Sequence, residues 1–264
     1  MVEQSRAVQS RPVQSEQIES AGPSESVETD VLGGEAHPHV HADVSGGWLR
    51  AAVFGAMDGL VTNISLIAGV GGGGLSPRQI VLTGTAGLVA GALSMAIGEY
   101  TSVKTQNEQL DHEIEKERHE LLHNAESEED ELAEMYVARG LSPALAAEVA
   151  AQLSKDPEQA LRIHVQEELG LDLDERPSPR TAAVSSFICF SIGALLPLLP
   201  YLLGFPVLWV ALLAGAAGLF AAGAAVARFT TRTWWGNGSR QLALGLVAAV
   251  LTYLVGRAFG AVVG

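Results

Sequence analysis

Residues 48–70, WLRAAVFGAMDGLVTNISLIAGV, form an apolar stretch that contains a single acidic residue, Asp58. A helix of about 20 apolar residues, rising 1.5 Å per residue, crosses the ~30 Å hydrocarbon core of a bilayer. The stretch therefore predicts a membrane-spanning helix. The nearest charged residues are Arg50 and Arg78, and a carboxylate inside the bilayer is energetically unfavourable. Asp58 is for this reason a candidate functional residue.

Four further apolar segments follow, and each is also long enough to cross a bilayer as a helix. They cover residues 78–103, 181–203, 206–230 and 240–262. Glycine- and proline-containing turns are predicted between neighbouring spans, at residues 71–77, 204–206 and 235–238. The pattern predicts an all-α integral membrane protein with five transmembrane helices in two groups, at 48–103 and 177–264.

The formal charge of −14 lies almost entirely outside these apolar segments. Residues 104–176 contain 20 acidic and 7 basic residues, and proline and glycine divide them into four predicted helices. We call this segment the acidic lobe. Residues 1–47 have no helical or strand period and no apolar run, which predicts a disordered tail without a cleavable signal peptide.

Basic residues are distributed unevenly over the two sides of the predicted spans. The positive-inside rule then places the N-terminus and the acidic lobe in the cytoplasm and the C-terminus outside. The residues on the cytoplasmic side are Arg50, Lys104, Arg176, Arg180, Arg228, Arg232 and Arg240. The opposite side has Arg78 and Arg257.

Asp58 and Met95 are predicted at a similar depth in the membrane, because Asp58 is ten residues beyond Trp48 and Met95 is nine residues before Lys104. A carboxylate with a thioether favours softer divalent ions such as Fe²⁺ or Co²⁺. The alternatives are a structural hydrogen bond for Asp58 and core packing for Met95. Glu99, one turn closer to the cytoplasm, either guides cations or lies at the interface.

A carboxylate in this environment prefers its neutral form when no cation is bound. Proton and metal would then compete for Asp58, which predicts proton-coupled metal exchange. Two GxxxG pairs, Gly87 with Gly91 and Gly256 with Gly260, indicate close helix packing, either within one chain or in a homodimer.

The helices of the acidic lobe carry acidic and histidine side chains at helical spacings. Carboxylate and carboxylate–histidine pairs on facing helices are typical of metal sites in helical bundles. Like charges at i, i+3 and i, i+4 are unfavourable unless a cation relieves them. A solvated acidic face is the alternative. The candidate ligands are Glu113, Glu117, Glu120, Glu128, Glu131, His164 and Glu168.

The tail ends in the motif HPHVH, in which His37, His39 and His41 alternate with other residues. Alternating histidines in a flexible segment form only a loose ligand set. The sequence leaves open whether they bind metal or belong to an unspecific polar tail.

Several stretches together resemble the vacuolar iron transporter family. They are WLRAAVFGAMDGLVTNISLIAGV, AGALSMAIGEYTSV, and the EKERHE and EELGL motifs of the acidic lobe. The resemblance implies a homodimer with five membrane helices per subunit, which exports cytosolic Fe²⁺ in exchange for protons along a path between the two copies of the first helix. Asp58 matches the family's membrane aspartate and Met95 its membrane methionine.

The resemblance also implies that the lobe binds metal through Glu117, Glu120, Glu128, Glu131 and Glu168. This chain departs from the family pattern at two positions. His164 stands where a methionine ligand is expected, and an imidazole also suits Fe²⁺ and Zn²⁺. Gly87 stands where some members have a glutamate, which removes a second membrane carboxylate.

These observations predict a proton-coupled Fe²⁺ transporter of a bacterial plasma membrane, rather than an enzyme. Fe²⁺ is its substrate, no cofactor is expected, and the partners are a second copy, the lipid bilayer, divalent metal ions and protons, with no nucleic acid. Three alternatives remain: a Mn²⁺, Co²⁺ or Zn²⁺ transporter of the same architecture, a membrane-anchored iron-storing or iron-oxidising protein, and a regulatory metal sensor.

Overall fold

The computed structural model describes residues 47–170, 173 and 176–263, and this part of the chain is helical and contains no strand. The predicted tail, with His37, His39 and His41, lies outside the described residues apart from Gly47. The helices are α1 Trp48–Gly72, α2 Pro77–His123, α3 Ala125–Ala138, α4 Pro143–Leu153, α5 Pro157–Leu169, α6 Pro179–Leu202, α7 Leu208–Val226 with a 3₁₀ turn at Ala227–Phe229, and α8 Trp234–Val263.

Five of these helices are long and apolar enough to cross a membrane: α1, α2, α6, α7 with its 3₁₀ turn, and α8. This confirms the five predicted spans. The second span and the first helix of the acidic lobe form one continuous helix of 47 residues, because no proline or glycine lies between Gly98 and its last residue, His123. The lobe is thus a direct extension of α2, to which α3, α4 and α5 are added.

The turn predicted at residues 235–238 is wrong. These residues form the beginning of α8, and the chain turns at residues 230–233 instead. Thr233 caps the helix by accepting a hydrogen bond from the Gly236 N–H at 3.3 Å. A Cβ atom on Gly238 would collide with Phe220, so this glycine allows α8 to approach α7 rather than making a turn.

The most extensive helix contact in the bundle joins α1 to α6. Gly55 and Gly59, four residues apart on α1, lie against the backbone of Ser186 and Phe190, and Gly193 of α6 lies against the backbone of Ala56. A Cβ atom at any of these three glycines would overlap backbone atoms, which cannot move aside as a side chain can. Small residues at this spacing let two helices pack closely in lipid.

The two GxxxG pairs identified in the sequence serve packing within the chain. Gly91 faces the ring of Phe190 on α6, and Gly256 and Gly260 on α8 face the backbone of Gly69 and Gly73. These contacts fix α2 and α8 beside α1 and support the intramolecular alternative.

The acidic lobe has a small core of its own, formed by Ile114 of α2 with Leu161 and Val165 of α5. An ion pair between Arg139 and Glu167 joins α3 to α5. These contacts hold the three helices α2, α3 and α5 together, so that their polar side chains meet on a common inner surface.

We expect Gly59→Ala to destabilise the protein, because the added methyl group overlaps the backbone of Phe190 and Ala194. Overpacking of this kind costs about 1–3 kcal/mol. Thermal unfolding of the purified protein in detergent measures the effect. Gly98→Ala is the matched control: a Cβ atom there meets nothing within 4 Å, so it should leave the melting temperature unchanged or raise it. Equal melting temperatures for the two variants would contradict the tight α1–α6 contact.

Candidate metal sites

Four polar side chains from α2, α3 and α5 converge inside the acidic lobe. Glu117, Glu128, His164 and Glu168 each offer a ligand atom, and these atoms lie within 4.8 Å of one another. His164 is fully buried at the centre. Its Nδ1 lies 3.2 Å from Glu117 Oε1, 3.3 Å from Glu168 Oε1 and 3.8 Å from Glu128 Oε2. We call these four residues the lobe cluster.

Burial and mutual repulsion act on the carboxylates of the lobe cluster. Burial, followed by the charge of Glu168 and then that of Glu128, raises the pKa of Glu117 to about 7. Burial and the charge of Glu131 raise the pKa of Glu128, while His164 lowers it. Near neutral pH the cluster therefore holds a proton that it would release when a cation binds.

The donor set of the lobe cluster fits a divalent transition metal. Three carboxylates and one imidazole supply oxygen and nitrogen ligands, which suit Fe²⁺, Co²⁺ and Zn²⁺. Glu117 Oε1 and His164 Nε2 are buried, and neither has a hydrogen-bond partner within the described part of the chain. Leaving such polar atoms unpaired is unfavourable, and a bound cation would relieve Glu117 Oε1.

Three other predicted ligands lie outside the lobe cluster. Glu120 accepts a hydrogen bond from Asn124 Nδ2 at 2.6 Å, and Glu131 is exposed. Both still contribute to the raised pKa of Glu117, so they lie near enough to influence the cluster. Glu113 is half-exposed and pairs with Lys116 at 4.0 Å, which places it among the solvated acids.

In the membrane-spanning part, Asp58 is half-buried and its Oδ1 accepts a hydrogen bond from the Thr62 hydroxyl at 3.4 Å. Asp58, Thr62, Ser65 and Gly69 recur at i, i+4, i+7 and i+11, so they share one face of α1. Ser65 Oγ is buried without a hydrogen-bond partner among the described residues. The result is a polar stripe on α1, defined by Asp58, Thr62 and Ser65.

Met95 is half-buried and packs against Ala92, Phe190 and Ala194, where α2 meets α6. This is the core packing named as its alternative role. Within one chain, Met95 therefore packs at the contact between α2 and α6, whereas Asp58 interacts with Thr62 on α1.

Glu99 is buried and forms an ion pair with Arg50 at 2.9 Å. From the sequence, Arg50 was placed only among the basic residues of the predicted cytoplasmic side, and its pairing with Glu99 was not predicted. Counting residues from the ends of the two spans could have found it, because the start of α1 and the lobe-side end of the membrane-spanning part of α2 lie at the same level. Ala51 and Val103 pack together there.

The fold and the site together define a multi-pass membrane protein with a candidate divalent-cation site in its acidic lobe. The VIT family matches this sequence over residues 49–257. The chain belongs to that family.

Several curated relatives carry the name vacuolar iron transporter. One from Acanthamoeba castellanii is 41% identical over 177 residues, covering 64% of this chain and 63% of the relative. Vacuolar iron transporter 1 of Arabidopsis thaliana is 34% identical over 158 residues, covering 59% and 62%. Vacuolar iron transporter homolog 1 of Oryza sativa is 35% identical over 226 residues, covering 81% and 74%. The chain thus spans a little under two thirds of the length of the first two.

We expect metal affinity at the lobe cluster to fall as the pH drops below about 7, because Glu117 is then protonated. If one proton competes with the metal, the affinity falls by up to about tenfold per pH unit. The free energy of unfolding of the metal-free protein should instead increase as the pH drops. A pKa raised by folding contributes stability that is lost as the pH rises through about 7. Co²⁺ titrations of the full chain in detergent at pH 6–8 measure the affinity.

Glu117→Gln and Glu113→Gln make a matched pair for this experiment, since both remove a carboxylate from α2. Glu117→Gln should weaken binding and flatten its pH dependence, whereas Glu113→Gln should change neither. The assignment of the cluster fails if the two variants behave alike.

Proposed function

We propose that this protein transports Fe²⁺ across a membrane, from the side of the acidic lobe to the opposite side, in exchange for protons. The observation that carries the proposal is the lobe cluster, a buried imidazole surrounded by three carboxylates. One of these carboxylates, Glu117, lies on the helix that continues into the membrane. Membership of the VIT family and the names of the relatives support iron as the substrate.

The lobe cluster would capture the ion. Its carboxylates repel one another without a cation, and burial strengthens this repulsion, so a divalent ion is favoured there. Glu120 and Glu131 add negative charge beside the cluster and would attract cations toward it. Glu99 and Asp58 would then bind the ion within the membrane-spanning part, with Met95 as a softer ligand after a change in its packing.

Asp58 would exchange the ion for a proton. Its polar stripe leads toward a cavity of about 390 Å³ between α1 and α8, which is lined by residues that include Ser65, Gly69, Thr252 and Gly256. Thr62 is exposed and Asp58 is half-buried in the single chain, and polar side chains that face lipid are unfavourable. This supports a homodimer in which α1 of a second copy covers these two residues. The transport path would then run between the two copies of α1.

The distribution of arginine and lysine supports a cytoplasmic lobe and N-terminus, with the C-terminus outside. Transport from the lobe side is then export from the cytosol. The bacterial plasma membrane stays the proposed location from the sequence, while the relatives' names refer to the vacuole.

Fe²⁺ flux into proteoliposomes under an imposed pH gradient tests the proposal. We expect wild-type flux to follow the gradient and Asp58→Asn to reduce it by at least about tenfold, because the amide neither binds a proton nor carries a charge. Glu108→Gln is the control, since Glu108 is an exposed acid paired with Lys104 at 3.6 Å. It should transport like the wild type.

Two results would contradict this function. Wild-type protein that binds iron but moves none across a sealed bilayer would indicate a sensor or a storage protein. Consumption of O₂ together with Fe²⁺ in the absence of flux would indicate an iron-oxidising protein. Flux of equal size without a pH gradient would remove the proton coupling alone.

A second candidate substrate is Zn²⁺ or Co²⁺, and the buried imidazole of His164 favours it. We expect His164→Met to weaken Zn²⁺ binding at the lobe cluster by about tenfold or more relative to Fe²⁺, because a thioether is a poorer ligand for Zn²⁺ than an imidazole. Anaerobic competition titrations of the full chain measure this ratio. An unchanged ratio would show that His164 does not contact the metal.

A further inference from the structure

The Arg50–Glu99 ion pair joins two side chains with very different surroundings. The side chain of Glu99 is 9% exposed, whereas that of Arg50 is 60% exposed, and their charged atoms lie 2.9 Å apart. A buried carboxylate is strongly unfavourable without a cation beside it. Within the described part of the chain, Arg50 is the one cation paired with Glu99.

The backbone around this pair is firmly packed. Ala51, next to Arg50, and Val103, one turn beyond Glu99, form a buried cluster with Ala182 of α6. Helices α1, α2 and α6 therefore cannot separate at this level without exposing that cluster. The part that can move is the long Arg50 side chain.

A space that can accept the Arg50 side chain lies close to the ion pair. A cavity of about 260 Å³ lies beside it, lined by Trp48, Val53, Val226 and Phe229 together with Arg50 itself. An arginine side chain buries its aliphatic part against such apolar walls while its guanidinium stays in water. Withdrawal into this cavity leaves the Glu99 carboxylate free for another cation.

Glu99 also lies in line with the lobe cluster. Glu99 and Glu117 are eighteen residues apart on the uninterrupted helix α2, which is five full turns and about 27 Å, so they share one face of that helix. An ion that leaves the lobe along this face reaches the level of Glu99 before the level of Met95.

We propose that Arg50 is the resting counter-ion of Glu99, and that a divalent cation arriving from the acidic lobe must displace its guanidinium to pass into the membrane-spanning part. This inference rests on the proposed transport function. Arg50 is thus a positioning residue that competes with the substrate. It stabilises Glu99 when no metal is present and limits access when metal is scarce.

Fe²⁺ flux into proteoliposomes at a series of Fe²⁺ concentrations tests this role. We expect Arg50→Gln to lower the KM for Fe²⁺ by about three- to tenfold, because the competing charge is gone. Glu99→Gln should raise the KM, and the double variant should match Glu99→Gln. A structural role alone would lower the maximal flux without lowering the KM.

A charge-exchange variant best distinguishes competition with the substrate from a purely structural role of Arg50. The double variant Arg50→Glu with Glu99→Arg keeps an ion pair between α1 and α2, so its melting temperature should stay close to that of the wild type. It places a fixed, buried cation where the ion must bind, so its flux should fall by at least about tenfold. Melting temperatures in detergent accompany every flux measurement.

The possible outcomes distinguish this inference from the transport function on which it rests. The role of Arg50 would be overturned, and transport left intact, by either of two results. One is an Arg50→Gln variant with the same KM as the wild type, and the other is a charge-exchange variant that transports as fast as the wild type. An absence of flux in the wild-type protein itself would overturn both.

Discussion

The close contact between α1 and α6 is the constraint on which the arrangement of the other membrane-spanning helices depends. Gly55 and Gly59 meet the α6 backbone directly, and Gly193 meets the α1 backbone in the same way. Because no side chain separates the two helices there, α1 cannot rotate about its axis. Asp58 is consequently fixed on a face of α1 away from this contact, where it bonds to Thr62 and lies in line with the cavity beside α8.

The second constraint is the length of α2. One uninterrupted helix carries Glu99 at the membrane boundary and Glu117 in the acidic lobe, so the two candidate cation positions are held at a fixed separation. The lobe adds α3 and α5 to this helix, and burial together with the repulsion among its carboxylates raises the pKa values of Glu117 and Glu128. Both candidate positions thus concentrate negative charge in buried surroundings, with Arg50 balancing one of them and His164 at the centre of the other.

Much of this could be predicted from residue patterns. The five spans follow from apolar length, and the break of the lobe into helices follows from Ser142–Pro143 and Asp156–Pro157. The spacing of acidic and histidine residues predicted a metal site between helices of the lobe. Four of the seven candidate ligands lie close together, namely Glu117, Glu128, His164 and Glu168. The turn at residues 235–238 was predicted wrongly, because glycine has two uses that sequence alone does not separate: it permits turns, and it permits close helix contact.

The sequence by itself determined the number of spans, the separation of apolar from acidic segments, and the residue types available for binding a cation. These properties depend on hydrophobicity and local helix signals, which act over a few neighbouring residues. Only the tertiary structure decided which residues meet: Glu113 lies outside the lobe cluster, Met95 packs against Phe190, and Glu99 pairs with Arg50. These choices depend on helix rotation and depth, which are set by contacts between residues far apart in the chain.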